Sequence, residues 1–450
     1  MRAGARRISG TSDDLKISAE RLLERALGLG ADEAEVFGVW SRNLTLELRR
    51  DRVESISASV LRGLGLRAII KGGVGFSSTS DLSRIDDVAE AAVSAARIFG
   101  PDRLWRGLPG KSRMPSVDGV FDRRIADVQT DTLLEISEEL LGGCGAVGGV
   151  EPVSGGVSCT HSLEILINSS GLDLSEEGTS IHLALETIAR GSSGVATGSE
   201  FDNSRSFSVN ARAVGEKAAD LARRSLDGIS IETDTYDVVL SPVAFAELLE
   251  STFIPSLSAE NVQKGRSTLA GMLNKSVSDL RLQVVDDGAL PAGMGSSAFD
   301  GEGVPSQRNV LLEDGVLRSY LYDSYTAGKE GRSSTGNSVR SGYSEMPRIG
   351  IRNLIISSKE PVEMLDGVRE GVLVNSVIGA HTANPISGDF SVEARNSFRI
   401  RAGEIAEPVR SAMIAGNIFD LLKHIDVGRD ARAVGPIVTP GVRVRMRVVC

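Results

Sequence analysis

The 450-residue sequence holds four histidines (His161, His182, His381 and His424), three cysteines (Cys144, Cys159 and Cys450) and the adjacent acids Asp286 and Asp287. A hydrolytic zinc site built on one helix needs two imidazoles on one face and a carboxylate to deprotonate the metal-bound water. No histidine here is followed by Glu or has a second His within a helical turn, so that motif is absent. His161 and His182 fall in strand-like segments, and His424 lies near the end of a helical stretch, where terminal carbonyls suit an imidazole. His381 stands in the loop GAHTANPISGD, whose small and polar residues suit either a cleft wall or a plain surface turn. Asp286 and Asp287 close the strand pattern LQVV ahead of Gly288, so turn formation through backbone N–H groups is their expected work. The stretch SSTGNS (Ser333 to Ser338), between Arg332 and Arg340, offers donors to an extended peptide or forms an ordinary exposed loop. Gly143-Cys-Gly145-Ala-Val-Gly148 spells G-x-G-x-x-G, but it follows the helical segment DTLLEISEELL, whereas a dinucleotide site needs a strand there. A P-loop and a G-x-S-x-G elbow are both missing.

The elements that must carry these residues are legible in the hydrophobic pattern. Leu15, Ala19, Leu22, Leu23 and Ala26 predict an amphipathic helix over Asp13–Leu29 behind the capping candidates Ser12 and Asp13. Leu44, Leu46 and Leu48, the turn RRDR, then Ile56, Ala58 and Val60 predict a hairpin with one wet face. GLGLRAIIKGGVGFSSTS adds a further strand, a glycine turn and a strand start, and Asp86–Ile98 reads as an alanine-rich helix. A Gly- and Pro-rich connector leads to a helix around Gln129–Leu141. In the following meander, Leu163, Ile165 and Ile167 share one strand face while Ser162, Glu164, Leu166 and Asn168 share the other. A helix over Ser208–Arg224 and the strand YDVVLSP open a last region of short strands with D-G and A-G turns. The expectation is an α+β protein: an α+β module over 1–110, a helix and antiparallel sheet over 111–230, and a β-rich sandwich or barrel-like domain over 231–450.

Composition narrows the function. Sixty acidic against fifty basic residues give a net charge of −10, which repels phosphate backbones and disfavours nucleic-acid binding. No apolar run reaches the roughly 18 residues of a membrane-crossing helix. The opening MRAGARRISG carries Arg2, Arg6 and Arg7 without the apolar stretch of a secretory signal, and a frayed cytoplasmic start is expected. Three cysteines without a C-x-x-C pair fit reduced thiols in the cytosol.

Segments along nearly the whole chain resemble the TldD/TldE peptidase family, also called the PmbA or modulator-of-DNA-gyrase family, and its TldE branch in particular. They are Ala26–Val36 (ALGLGADEAEV), Glu47–Glu54 (ELRRDRVE), GLGLR and the following GVGFSSTSDL, then Val238–Pro242 (VVLSP) and Val284–Gly288 (VVDDG). They continue with Asp300–Leu317 (DGEGVPSQRNVLLEDGVL), Ser334–Ser338 (STGNS), Ser387–Ser391 (SGDFS) and Ala402–Asn417 (AGEIAEPV through IAGN). In the catalytic TldD branch, H-E-x-x-x-H follows the strand similar to VVLSP and a later cysteine completes a zinc site. Here Phe245–Asn261 (FAELLESTFIPSLSAEN) holds Glu247, Glu250 and Glu260 but no histidine, and Cys450 does not stand where a third ligand would. The resemblance implies a non-catalytic subunit without a cofactor of its own. Such a subunit pairs with a zinc-bearing TldD-like partner around an enclosed cavity that degrades unfolded or short peptides. In that arrangement the β-rich strands form the dimer surface. The expected cavity-lining residues are Ser334, Thr335, Gly336, Asn337, His381, Asn384, Gly388 and Asp389. The alternatives are a homodimeric peptide-binding scaffold and, least favoured, a metallopeptidase built on carboxylates such as Glu247, Glu250, Asp286 and Asp287, whose oxygen-only ligation suits Mg²⁺ or Ca²⁺ better than zinc.

Overall fold

The computed structural model describes residues 5–192 and 194–450, with side chains from residue 13 onward. The arginines of the opening decapeptide, and with them the expected frayed start, lie outside the described side chains. Helix α1 (Ala5–Gly28) begins upstream of Asp13, so Ser12 and Asp13 sit inside it rather than capping it. Its apolar stripe is as expected, with Leu15, Ala19, Leu22 and Ala26 fully buried.

Six long strands form one antiparallel sheet: β1 (Glu33–Arg49), β2 (Arg52–Ile70), β3 (Gly73–Thr79), β4 (Val150–Asn168), β5 (Asp173–Gly191) and β6 (Gly194–Ser204), in the order β3-β2-β1-β4-β5-β6. The expected hairpin strand and the strand after it are one continuous β2. Its first half is an edge, because β3 pairs only from Leu64 onward. Ile56 and Val60 therefore remain exposed instead of forming a buried face. Helices α1 and α2 (Ile85–Phe99) cover one half of one sheet face, over Val36, Leu64, Leu66 and Ile165. After the short helix α3 (Arg123–Ala126), α4 (Thr130–Gly145) and α5 (Ala211–Arg224) cover the other half, over Leu44, Leu46, Leu183 and Leu185. The G-x-G-x-x-G string thus continues a helix: a Cβ on Gly143 would fall 2.1 Å from the Arg212 carbonyl oxygen, so glycine lets α4 and α5 pack backbone to backbone.

The second unit contains β7 (Asp234–Leu240), β8 (Leu282–Asp287), β9 (Arg308–Glu313), β10 (Val316–Leu317), the paired β11 (Ser338–Val339) and β12 (Arg348–Ile349), and β13 (Leu354–Ser358). It continues with β14 (Glu370–Ile378), β15 (Asp389–Arg401), β16 (Glu404–Val409), β17 (Met413–Asn417), β18 (Asp426–Val434) and β19 (Ile437–Val449). Strands β7, β14, β15, β17 and β19 close on themselves because β19 also pairs with β7, giving a barrel around Val238, Val372, Val392 and Val444. Closure removes sheet edges from the centre of this domain. Fold and order follow the expectation: an α/β region first, then a β-rich barrel domain.

The sheet face away from the helices meets the second unit. Phe37 and Leu166 from the sheet pack with Phe299 in a small apolar cluster at this junction. Gly65 marks how close the approach is, since a Cβ there would lie 2.0 Å from the Tyr343 carbonyl oxygen. The result is three layers: helices, sheet and barrel domain.

Candidate functional site

Strand β7 ends in the buried run Val238–Leu240 and delivers helix α6 (Pro242–Ser251), the segment where the resemblance places a metal helix in catalytic relatives. Ser241 caps it by accepting from the Ala244 N–H, with Pro242 in the first turn. Phe245, Leu248 and Leu249 are committed to the core. Glu247 accepts a hydrogen bond from the Val377 N–H at 2.8 Å, and burial raises its carboxyl above the ordinary value. Among the described residues no group of three or more His, Cys, Asp or Glu side chains is placed to hold a metal ion. Cys144 and Cys159 are buried, and burial pushes both thiols up. Cys450 is exposed and its N–H donates to Thr233 Oγ1. The imidazoles are dispersed: His161 is buried against Trp40 and Phe121 and bonds Glu177 at 2.9 Å, His182 lies beside Phe201, and His381 and His424 are exposed.

The expected cavity residues fall into two groups that no hydrogen bond joins among the described residues. His381 sits in a single 3₁₀ turn (Ala380–Thr382) beside α6. Asn384 Oδ1 accepts from the Ile386 and Ser387 N–H groups, Gly388 adopts φ 82°, and Asp389 accepts from Ser387 Oγ and Asn417 Nδ2. These contacts fold the loop on itself, and the His381 ring is exposed. In the other group, Ser334 and Thr335 hydroxyls donate to the Tyr322 carbonyl, and Gly336 has φ 69°. Asn337 is fully buried and donates to Asp286 Oδ2 at 2.6 Å and to the Gly350 carbonyl. This loop braces the short strand β11 that follows it, which carries Ser338 and leads to Arg340. Asp287 does accept from the Ala289 N–H as a turn residue should. Asp286 differs from the expectation: it is buried, accepts from the Arg352 N–H, and burial lifts its carboxyl to about 6.

A cavity of about 520 Å³ lies between the sheet face and the barrel domain. Glu164 on β4 and Glu176 on β5 are directly opposed in the strand register and share the face that looks into it. Glu176 accepts from the Ala298 N–H, whereas Glu164 has no hydrogen bond or ion pair among the described residues. Glu164 is exposed and Glu176 half-buried; desolvation by the surrounding walls raises both carboxyls, and the charges of Arg352 and Arg205 partly offset it. Arg205 and Arg352 stand in the same wall but direct their N–H groups elsewhere. Arg205 donates to the Val120 and Met294 carbonyls, Arg352 to the Gly295 and Phe299 carbonyls and to Ser297 Oγ. Ser338, fully buried at the wall, has a hydroxyl without a partner.

Next to the cavity a buried network staples sheet to barrel domain. Arg67 on β2 grips Glu35, its register partner on β1, through two bonds of 2.9 and 2.8 Å, and reaches Glu302 at 3.0 Å. Arg340 also bonds Glu35, donates to the Gly301 carbonyl and lies over the Phe37 ring. Burial alone would raise the Glu35 carboxyl; Arg67 and Arg340 outweigh it and hold it below the ordinary value. Neighbouring Asp300 accepts from the Glu302, Val304 and Ser338 N–H groups, and burial together with the Glu302 charge lifts it to about 7.

Neither the carboxylate pair nor the staple figured among the expected site residues. A usable signal existed for the first: counting outward from the Ser169–Leu172 turn opposes residue 164 to residue 176. For the staple there was none, because its members are separated by up to 305 positions.

Three sequence models of one family match in chain order: PmbA/TldA metallopeptidase domain 1 at 34–96, the central domain at 123–226 and the C-terminal domain at 233–449. The uncharacterized protein MJ0231 of Methanocaldococcus jannaschii is 34% identical over 428 residues, covering 93% of this chain and 98% of that protein. Metalloprotease slr0863 of Synechocystis is 27% identical, covering 87% and 85%. Among solved structures, a Thermotoga maritima protein described as a candidate DNA-gyrase modulator superposes with a TM-score of 0.88 at 27% identity, covering 96% of this chain and all of that one. TldE from Thermococcus kodakarensis gives 0.89 at 23% identity with the same coverage, a likeness of fold. On these matches the chain belongs to the PmbA/TldD metallopeptidase family.

Proposed function

We propose that this chain is a TldE-like, non-catalytic subunit that pairs with a zinc-bearing TldD-like chain to form a peptidase of short or unfolded peptides. The observation that carries the reading is the chemistry of α6: it offers no imidazole, and its one half-buried carboxylate, Glu247, is engaged by the Val377 N–H. Zinc with a reactive water needs three protein ligands, with His and Cys the usual soft donors, and none converge on this helix. Within the complex, His381, Asn384, Gly388 and Asp389 are assigned to the wall facing the partner's active centre, since their loop stands beside α6. Ser334, Thr335, Gly336 and Asn337 support that wall from behind.

The test is to purify the chain and a family member carrying H-E-x-x-x-H, then measure zinc content and peptide hydrolysis for each alone and for the mixture. Hydrolysis only in the mixture, with zinc tracking the partner, is the expected result. Zinc and hydrolysis in this chain alone would overturn the proposal, and no gain on mixing would favour the scaffold reading.

A further inference from the structure

We infer that the free edge of β2, Val53–Gly63, pairs antiparallel with the same edge of a second copy of this chain, across a two-fold axis at Ala58. The inference concerns this chain by itself and needs neither a TldD-like partner nor zinc. An edge strand presents a row of unpaired N–H and C=O groups, and proteins blunt such edges with charge, proline or a covering element. The far edge of the sheet is covered in this way: Asn396 and Arg432 of the barrel domain donate to the Thr197 and Phe201 carbonyls of β6. The β2 edge is not. Strand β3 pairs only from Leu64 onward, and among the described residues nothing else bonds the outer main chain of Val53–Gly63. No charge or proline interrupts Ser55–Leu61 (SISASVL), and the only bulge against β1 lies at its end, at Glu54.

The edge is complementary to itself. In a two-fold contact, residue i meets j and j meets i. The start of β3 at Leu64 limits the overlap, so the register that uses the whole free segment sets Val53 against Gly63 and Ala58 against itself. The same register sets Ile56 against Val60 of the second copy and Ser57 against Ser59, and it brings Glu54 to Arg62. Arg62 is exposed and has no ion pair among the described residues, while Glu54 holds only the exposed Arg49. Length and charge thus select one register independently. Ile56, Ala58 and Val60 share the sheet face of Leu64 and Leu66 but lie beyond the cover of α1 and α2. Val60 is 64% and Leu61 48% exposed. Pairing joins Ile56 and Val60 of both copies into one apolar patch. Main-chain bonds then supply affinity, and the cross-strand pairs fix the register.

The experiment is analytical ultracentrifugation of the full-length chain, followed by cysteine crosslinking. The chain should sediment as a dimer. Val60→Lys, which sets an ammonium against Ile56 twice per dimer, should weaken self-association at least tenfold. Thermal unfolding checks that the exposed substitution leaves the fold intact; should it not, Ile56→Lys is measured with the same expectation. Crosslinking reads the register in a Cys450→Ser background. Ala58→Cys places two thiols opposite each other at the axis, with Cβ atoms about 4.5–5.5 Å apart, whereas Val60→Cys offsets them by about 13 Å along the strands. Copper-phenanthroline oxidation should crosslink the first and not the second. A monomer at about 100 µM would overturn the inference. So would a dimer that Val60→Lys leaves as tight, or equal crosslinking at both positions. Loss in Val60→Lys of association with a family member carrying H-E-x-x-x-H, with self-association unchanged, would give the edge to that chain and overturn the inference too.

Discussion

Two opposed residue pairs on the same face of the same sheet are built differently. Glu35 on β1 faces Arg67 on β2, and the pair is completed by Glu302 and Arg340 from the barrel domain, giving two acids and two bases in mutual contact. Glu164 on β4 faces Glu176 on β5, and Arg205 and Arg352 act on both through charge without bonding either among the described residues. The backbone geometry is the same antiparallel register, but Glu35 and Arg67 are buried while Glu164 is exposed and Glu176 half-buried, so the contrast lies in solvent access. A paired charge set with every donor directed at an acceptor fixes how two layers meet. An opposed pair open to solvent keeps much of its hydration, so its repulsion is screened and its neighbours need not bond it. The first arrangement explains why the layers sit as they do, and the second lines the water-accessible cavity between them.

The sharpest way to break the comparison is to remove the base from the paired side. Arg67→Ala leaves Glu35 with Arg340 alone and strips Glu302 of its ion-pair partner inside the junction. Breaking a buried pair in this way costs about 3–5 kcal/mol, because an uncompensated charge remains. Urea unfolding should show that loss, while Arg67→Ala with Glu302→Gln should recover part of it. A loss below 1 kcal/mol would mean that the network does not hold the layers together.

How far the sequence revealed this contrast depends on the distance over which each feature is decided. Strand alternation is local, and the face shared by Ser162, Glu164, Leu166 and Asn168 was readable because each residue's side follows from a period of two. The β-rich order of the last region was equally readable from its D-G and A-G turns. Helix α1 was mis-started because Ser12 and Asp13 look like caps wherever they stand, and only the observed backbone shows that the helix continues through them. The alternation of Ile56, Ala58 and Val60 predicts a hairpin with one wet face, yet burial of the other face depends on a neighbouring strand, and β3 does not reach that far. Glu35, Arg67 and Glu302 each lie inside a fragment that carried the family resemblance, and Arg340 flanks another. Their common purpose emerges only when the barrel domain is laid on the sheet.

A smaller effect sharpens the comparison from the unpaired side. Glu164, Glu176, Asp286 and Asp300 all have carboxyls raised above the ordinary value, the last two to about 6 and about 7. Between roughly pH 4, where unfolded carboxyls titrate, and pH 7, the native state holds more protons than the unfolded chain. These groups therefore make stability fall as pH rises through that window. Glu35 acts oppositely: its lowered carboxyl contributes stability above the unfolded value that is lost as pH drops through its folded value. In E164Q/E176Q the fall between pH 5 and pH 8 should be shallower, with the variant at most about 0.3 kcal/mol more stable than the parent at pH 8, because solvent screens the exposed Glu164. The gap should close toward pH 5. Parallel stability curves for the two proteins would show that the opposed glutamates do not repel.

An equally small effect lies on the far end of β5, where Asp173 meets Lys16 of α1 at 2.8 Å with both side chains about half exposed. The distance is as short as the Glu35–Arg67 contact, so contact length alone would rank the two as equals. Solvent changes the outcome: water screens the exposed pair, and fixing two long side chains offsets most of the Coulomb gain. Lys16→Ala should change stability by less than about 0.5 kcal/mol, and raising the salt concentration should erase even that. If Lys16→Ala instead approached the loss expected for Arg67→Ala, burial would not be what separates structural from incidental charge pairs on this sheet.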